Sequence, residues 1–134
     1  MARLAAVLVL VLMVAAGCGA GSAKPFTAAN TTACLKEKGF TKVTRDPTKI
    51  GFIAAFAENG GLQARAADGN VVTMAFAADE VGAKSTQVAF KNRASAFYKK
   101  RIADVMQSDR NAVMVWQTTP TQEQIDAAKG CLGS

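Results

Sequence analysis

Histidine is absent from all 134 residues of this chain. That removes the commonest general base, proton shuttle and neutral-pH metal ligand together. Serine or cysteine triads that depend on histidine are excluded, as are the usual zinc sites. Cysteine is scarce, at three residues. No two of them stand in a Cys-x-x-Cys spacing, so a thioredoxin-like redox pair is not expected. Glycine-rich phosphate loops are missing as well. Asn59-Gly60-Gly61 lacks the further glycines and the lysine of such a loop, and it reads as a chain reversal before a strand.

The apolar run that is present, Leu4 to Ala16 (LAAVLVLVLMVAA), has 13 residues. A membrane span needs roughly 20. A retained anchor would have to continue through Gly17, Gly19, Gly21 and Ser22, which extend a helix poorly. Arg3 precedes the run and small residues follow it, which is the layout of a secretory signal.

The run ends in Ala15-Ala16-Gly17-Cys18, which resembles the lipobox of bacterial lipoproteins. The resemblance is confined to the leader. It implies cleavage before Cys18 and diacylation of the Cys18 sulfur. Residues 1–17 are then the signal peptide, 18–26 a lipidated cysteine and flexible tether, and 27–134 a single small domain. It also implies a location outside the cytoplasm, anchored to the bacterial cell membrane by lipid. Ordinary signal cleavage after Ala20 or Ala23 is the alternative, and it would give a secreted protein.

With Cys18 acylated or removed, Cys34 and Cys131 remain as an even pair. Outside the cytoplasm such a pair usually oxidises, and a disulfide between them is expected. The chain carries a net charge of +6, of which Arg3 is the leader's share. A basic exported domain suits anionic lipid or cell-wall polymers. Nucleic acid is not an expected partner, because no reader motif is present.

Thr27 to Lys38 reads as a first helix, with Gly39 closing it. Thr41 to Thr44 reads as a short edge strand, stopped at Asp46-Pro47. Phe52 to Phe56 is apolar and fits a strand or a packed loop. The clearest signal is a hairpin, Leu62–Ala66 and Val71–Phe76 about Asp68-Gly69-Asn70. From Asp79 the period changes to that of a long amphipathic helix reaching Arg101, with Val81, Val88, Ala94, Phe97 and Tyr98 as its apolar positions. A second hairpin is expected from Ile102–Met106 and Ala112–Trp116, turning at Ser108–Asn111. Thr119 reads as the N-cap of a last helix, with Pro120 at its first position and Gln122 reaching back. The predicted fold class is α+β: a mainly antiparallel sheet of four or five strands with helices on one face, ordered as a helix and then two strand–strand–helix units.

Candidate functional residues are few. Lys99, Lys100 and Arg101, beside Tyr98, could meet anionic headgroups, or form an ordinary solvated helix end. Trp116 and Phe97 read as core rather than pocket lining. Met74, Met106 and Met114 read as core filler rather than soft-metal ligands. Asp79, Glu80, Asp104 and Asp109 offer carboxylates but no evident pairing. Ser85 and Ser95 lie near Lys84 and Lys91. The leading expectation is a non-catalytic, membrane-anchored lipoprotein with no cofactor and no metal, whose domain binds an unidentified envelope protein or small ligand. The alternatives are a small envelope hydrolase or transferase using carboxylate or Ser-Lys chemistry, and a structural subunit of an envelope complex.

Overall fold

A computed structural model describes residues 23–134. The expected signal peptide, the lipobox-like Ala15-Ala16-Gly17-Cys18 and the start of the expected tether lie outside the described residues. The fold is α+β, with a five-stranded antiparallel sheet in the order β1-β2-β3-β5-β4. The strands are β1 (Thr41–Thr44), β2 (Gly61–Arg65), β3 (Val71–Phe76), β4 (Met106–Asp109) and β5 (Ala112–Trp116). The helical segments are α1 (Ala28–Glu37), α2 (Phe52–Ala55), α3 (Glu80–Arg93), α4 (Ala96–Lys99), α5 (Ile102–Val105) and α6 (Gln122–Gly130). Among the described residues, no helix is long and apolar enough to cross a membrane.

Alternation along the two central strands sets the layers, because successive side chains point to opposite faces. Leu62, Ala64, Val72, Met74, Phe76, Ala112, Met114 and Trp116 share the first face and form the main core with Ala28 and Leu35 of α1 and Ala128 of α6. Register aligns these residues, with Val72 opposite Trp116 and Met74 opposite Met114. Cys34 in α1 and Cys131 after α6 are joined in a disulfide, with Cα atoms 5.4 Å apart. The first and last helices are thus stapled over one core, as the sequence predicts.

The second face is also covered, which corrects the expectation of helices on one face. Ala54 of α2 packs with Ile50 and Ala75, and Ala83 of α3 packs with Ala77 and Val113. Phe90 of α3 packs against both groups. Ala75, Ala77 and Val113 are apolar on the side the alternation assigns to solvent, so the central strands are buried on both faces. The contacting residues are small, and α2 comes very close to the sheet. A Cβ placed on Gly61 would lie 2.7 Å from the Cβ of Ala54 and nearer still to its carbonyl. Gly61→Ala is expected to destabilise the domain by about 1–3 kcal/mol through this clash. Urea denaturation checks it, and a change below about 0.5 kcal/mol would mean that α2 lifts without penalty.

Five local expectations also need correction. Phe52–Phe56 is neither strand nor loop but the short helix α2. The long helix stops at Arg93. Ala94 turns extended and Ser95 starts α4 as a new N-cap, its hydroxyl accepting the Tyr98 N–H at 3.4 Å. Val81 and Val88 do not face the core; both are exposed, and Ala83 is buried in their place. Ile102–Val105 is a helical turn, so the strand begins at Met106 and the reversal tightens to Arg110-Asn111. The last helix is capped by Thr121 rather than Thr119. Gln124, not Gln122, reaches back to accept the Thr121 N–H, which completes a capping box.

Other signals are realised as expected. Thr27 caps α1 and Gly39 closes it at φ +87°, with the Phe40 N–H donating to Leu35 and the Gly39 N–H to Lys36. In the first hairpin Gly69 takes φ +92°, and the Asn70 N–H donates to the Asp68 carboxylate at 2.9 Å. That hydrogen bond is the main reason the Asp68 carboxyl titrates below its ordinary value.

Candidate functional site

On the second face, α2 and α3 leave one part of the sheet uncovered. The floor there is Gln63 and Arg65 of β2, Val71 and Thr73 of β3, and Val115 of β5. The end of α3 supplies Phe90 and Arg93 as one wall. The break at Ala94 then turns the chain, so that Tyr98 of α4 and Ile102 of α5 form the other. Tyr98 fixes this strap, its hydroxyl donating to the Gln117 carbonyl at 2.9 Å. The result is a cleft of about 470 Å³, in the range of small-molecule sites.

The chemistry of the cleft is one-sided. Two arginines line it, and no carboxylate does. Gln63 Nε2 donates to Thr73 Oγ1 at 3.3 Å, a weak cross-strand bond on the floor. Arg65 Nη1 donates to the Gly69 carbonyl at 3.0 Å, so the hairpin turn positions the guanidinium. Arg65 Nε is buried without a hydrogen-bond partner among the described residues. Such a group carries an uncompensated desolvation cost. Arg93 lies over the ring of Phe52, 5.0 Å from its centroid, and Phe52 packs on Phe56 at 4.6 Å. Both phenylalanines are exposed, at 61% and 74%. On the opposite wall, exposed Phe97 meets Tyr98 edge-on at 5.7 Å. An apolar rim therefore flanks both sides of a cationic cleft.

The sequence-predicted residues are distributed unevenly around this site. Lys99 and Lys100 are exposed just beyond Tyr98. Arg101 donates to Thr119 Oγ1 at 2.7 Å and sits over Phe97, 5.4 Å from its centroid. The trio follows directly from the cleft wall but does not line the cleft. Phe97 is a surface residue, against the expectation of core. The Trp116 side chain is core as expected, packed near Phe40, and the residue also borders the cleft. Met74 and Met114 are fully buried. Ser85 bonds back to the Val81 carbonyl and Ser95 caps α4, so each hydroxyl is engaged with backbone rather than with a lysine. Asp79 caps α3 through the Gly82 N–H. Among the described residues, no three of Asp, Glu and Cys come together as a metal site.

Arg65, Arg93, Gln63 and Thr73 were not singled out by the sequence. Three of them occupy the polar phase of the first hairpin, which reads as a solvated face. Their placement under the end of α3 is visible only once that helix lies on the sheet.

The arrangement defines a class: a disulfide-closed α+β domain with a cationic, apolar-rimmed cleft over one face of its sheet. No family model, curated protein or solved structure matches the chain.

Proposed function

We propose that this chain is an exported lipoprotein, held at the bacterial cell membrane by diacylated Cys18, whose domain is a non-catalytic binding module. The observation that carries the binding role is the cleft of about 470 Å³ floored by Gln63, Arg65 and Thr73 and walled by Arg93 and Tyr98. Its polar groups converge from two strands and two helical segments, as in a ligand site. The anchor rests on the resemblance of Ala15-Ala16-Gly17-Cys18 to a lipobox. A short stretch of chain separates Cys18 from Lys24, whose carbonyl accepts a hydrogen bond from Arg110 at 2.7 Å. An acyl chain on Cys18 therefore keeps the domain near the bilayer surface. There Lys99, Lys100 and Arg101 contribute attraction to anionic headgroups, about 1 kcal/mol for each basic group that reaches them.

The test is the intact mass of protein extracted from its own membranes under native conditions. The expected species begins at Cys18, carries acyl chains, and holds a non-covalent ligand that Ala94→Trp, which fills the cleft, no longer retains. A lipid-free mass beginning after Ala20 or Ala23 overturns the anchor. A ligand retained equally by Ala94→Trp overturns the assignment of the cleft.

A further inference from the structure

The geometry points to the class of molecule that the cleft takes: an amphipathic anion, with an apolar body and a terminal carboxylate or phosphate held between Arg65 and Arg93. This rests on the reading of the cleft as a binding site and goes further by naming the ligand's chemistry. Charge is the first argument. Arg65 and Arg93 line the cleft and no Asp or Glu does, so an anion gains from both arginines and meets no opposing carboxylate there.

Arg65 supplies the second argument. Its Nη1 is already committed to the Gly69 carbonyl. The opposite edge, Nε with Nη2, is the one that takes a carboxylate or phosphate through two parallel hydrogen bonds. Nε on that edge is buried and unpartnered. An acceptor in the cleft, met by a small rotation of the guanidinium, supplies the missing bond and removes the desolvation cost. The polar end of the ligand is therefore placed at the Arg65 edge of the floor.

The apolar remainder gives the third argument. Val71, Phe90, Ala94, Ile102 and Val115 line the same cleft, so a fully hydrated anion such as inorganic phosphate leaves most of the wall uncovered. Arg93 stands at the end of α3, backed by the Phe52 ring. It can close over a bound headgroup from the solvent side. Stacking on an aromatic face holds a guanidinium flat, which suits it to planar recognition of a carboxylate.

The experiment is calorimetric titration of the oxidised domain with decanoate, decyl phosphate, decanol, decyltrimethylammonium and inorganic phosphate, each below its aggregation limit. Decanoate and decyl phosphate are expected to bind at least about tenfold more tightly than decanol, with decyltrimethylammonium and inorganic phosphate weaker still. Arg65→Gln and Arg93→Gln should each remove about tenfold of the anion affinity and leave decanol unchanged. Arg65→Lys, which keeps the charge but loses the fork, should recover only part of it. Arg93 is exposed, so its variant tests the idea even if Arg65→Gln folds poorly.

Equal affinity for decanoate and decanol overturns the anion assignment and leaves the cleft as an apolar site. Anion binding undiminished in both arginine variants and in Ala94→Trp overturns it as well, by placing the ligand elsewhere. Failure of every probe to bind overturns the binding reading and this inference together. A final arm separates the sources of the anion. Phosphatidylglycerol vesicles that compete with decanoate assign the headgroup of a membrane lipid, and vesicles that do not compete assign a free amphiphile; both support the proposal.

Discussion

Replacing Cys34 and Cys131 together with alanine is expected to lower the unfolding free energy by about 3–5 kcal/mol. The two residues are 97 apart in sequence, so their bond closes nearly the whole domain into one loop. In the chain-entropy account, a loop of about 100 residues restricts the unfolded ensemble by roughly 4–5 kcal/mol. Small domains are commonly stable by about 5–15 kcal/mol, so the loss is a large fraction of the total. Alanine is the right replacement at Cys131, which is fully buried among apolar side chains; serine would add an unpaired hydroxyl. Urea denaturation of both proteins gives the free-energy difference. The slope of the transition should also steepen without the crosslink, because the unfolded chain then exposes more surface. A loss below about 1 kcal/mol with an unchanged slope would mean that packing of α1 and α6, not the bond, holds the two ends together.

The second large effect is expected at Asn111. Its side chain is almost fully buried and joins three parts of the chain. Oδ1 accepts the Phe26 N–H at 2.8 Å, while Nδ2 donates to the Phe26 carbonyl at 2.9 Å and to the Ala77 carbonyl at 2.8 Å. Arg110, at φ +50°, presents its guanidinium over the Phe26 ring at 4.3 Å. The β4–β5 turn is therefore a clamp on the segment that leads into α1. Asn111→Ala strands the Phe26 N–H and the Phe26 carbonyl, while the Ala77 carbonyl keeps Asn59 Nδ2 at 2.7 Å, and it is expected to cost about 2–4 kcal/mol. The discriminating readout is local. In the variant, the Phe26 amide should exchange with solvent far faster than the β3 and β5 amides, because its acceptor is gone. Retained protection at Phe26 would show that the Arg110–Phe26 contact alone holds the segment.

Much of the fold was legible because its signals are short-range. Asp68-Gly69-Asn70 fixes the first hairpin through a left-handed glycine and a side-chain-to-backbone bond, both encoded within a few residues. Thr27 and Gly39 delimit α1 in the same way. β1, β3 and β5 fall at their expected residues, since alternation of Val, Met and aromatic residues with smaller partners suffices to mark a strand. The Cys34–Cys131 pairing was legible only through the expectation that Cys18 is acylated or removed, which leaves these two as an even pair. Local signals failed where two readings share one pattern. Ile102–Met106 has the composition of a strand, but the chain must still complete the strap that Tyr98 and Ile102 form beside β5, and a helical turn does so. Thr119 and Thr121 both precede a glutamine by three residues, and only Thr121 has that glutamine placed to bond back.

The candidate site was hardly legible at all. Lys99, Lys100 and Arg101 stand out as a charge run, yet a run on a short helix end reports exposure, not a site. Arg65 and Arg93 are isolated in sequence, 28 positions apart. They line one cleft because β2 lies beside β3 while α3 crosses the same face and stops at Ala94. Nothing local to either arginine encodes that placement.

The sequence by itself determined the absence of histidine, the cysteine pair, the first hairpin and the α+β class. Each depends on residue identity or on spacings of a few positions, where backbone sterics and side-chain periodicity act directly. Tertiary structure alone decided that helices cover both faces, that Val81, Val88 and Phe97 point to solvent, and that two arginines share an apolar-rimmed cleft. Those outcomes depend on which surfaces dock. Ala54 over Gly61 and Ala83 beside Ala77 allow close approach because their side chains are small, and small residues leave almost no periodic trace in a sequence.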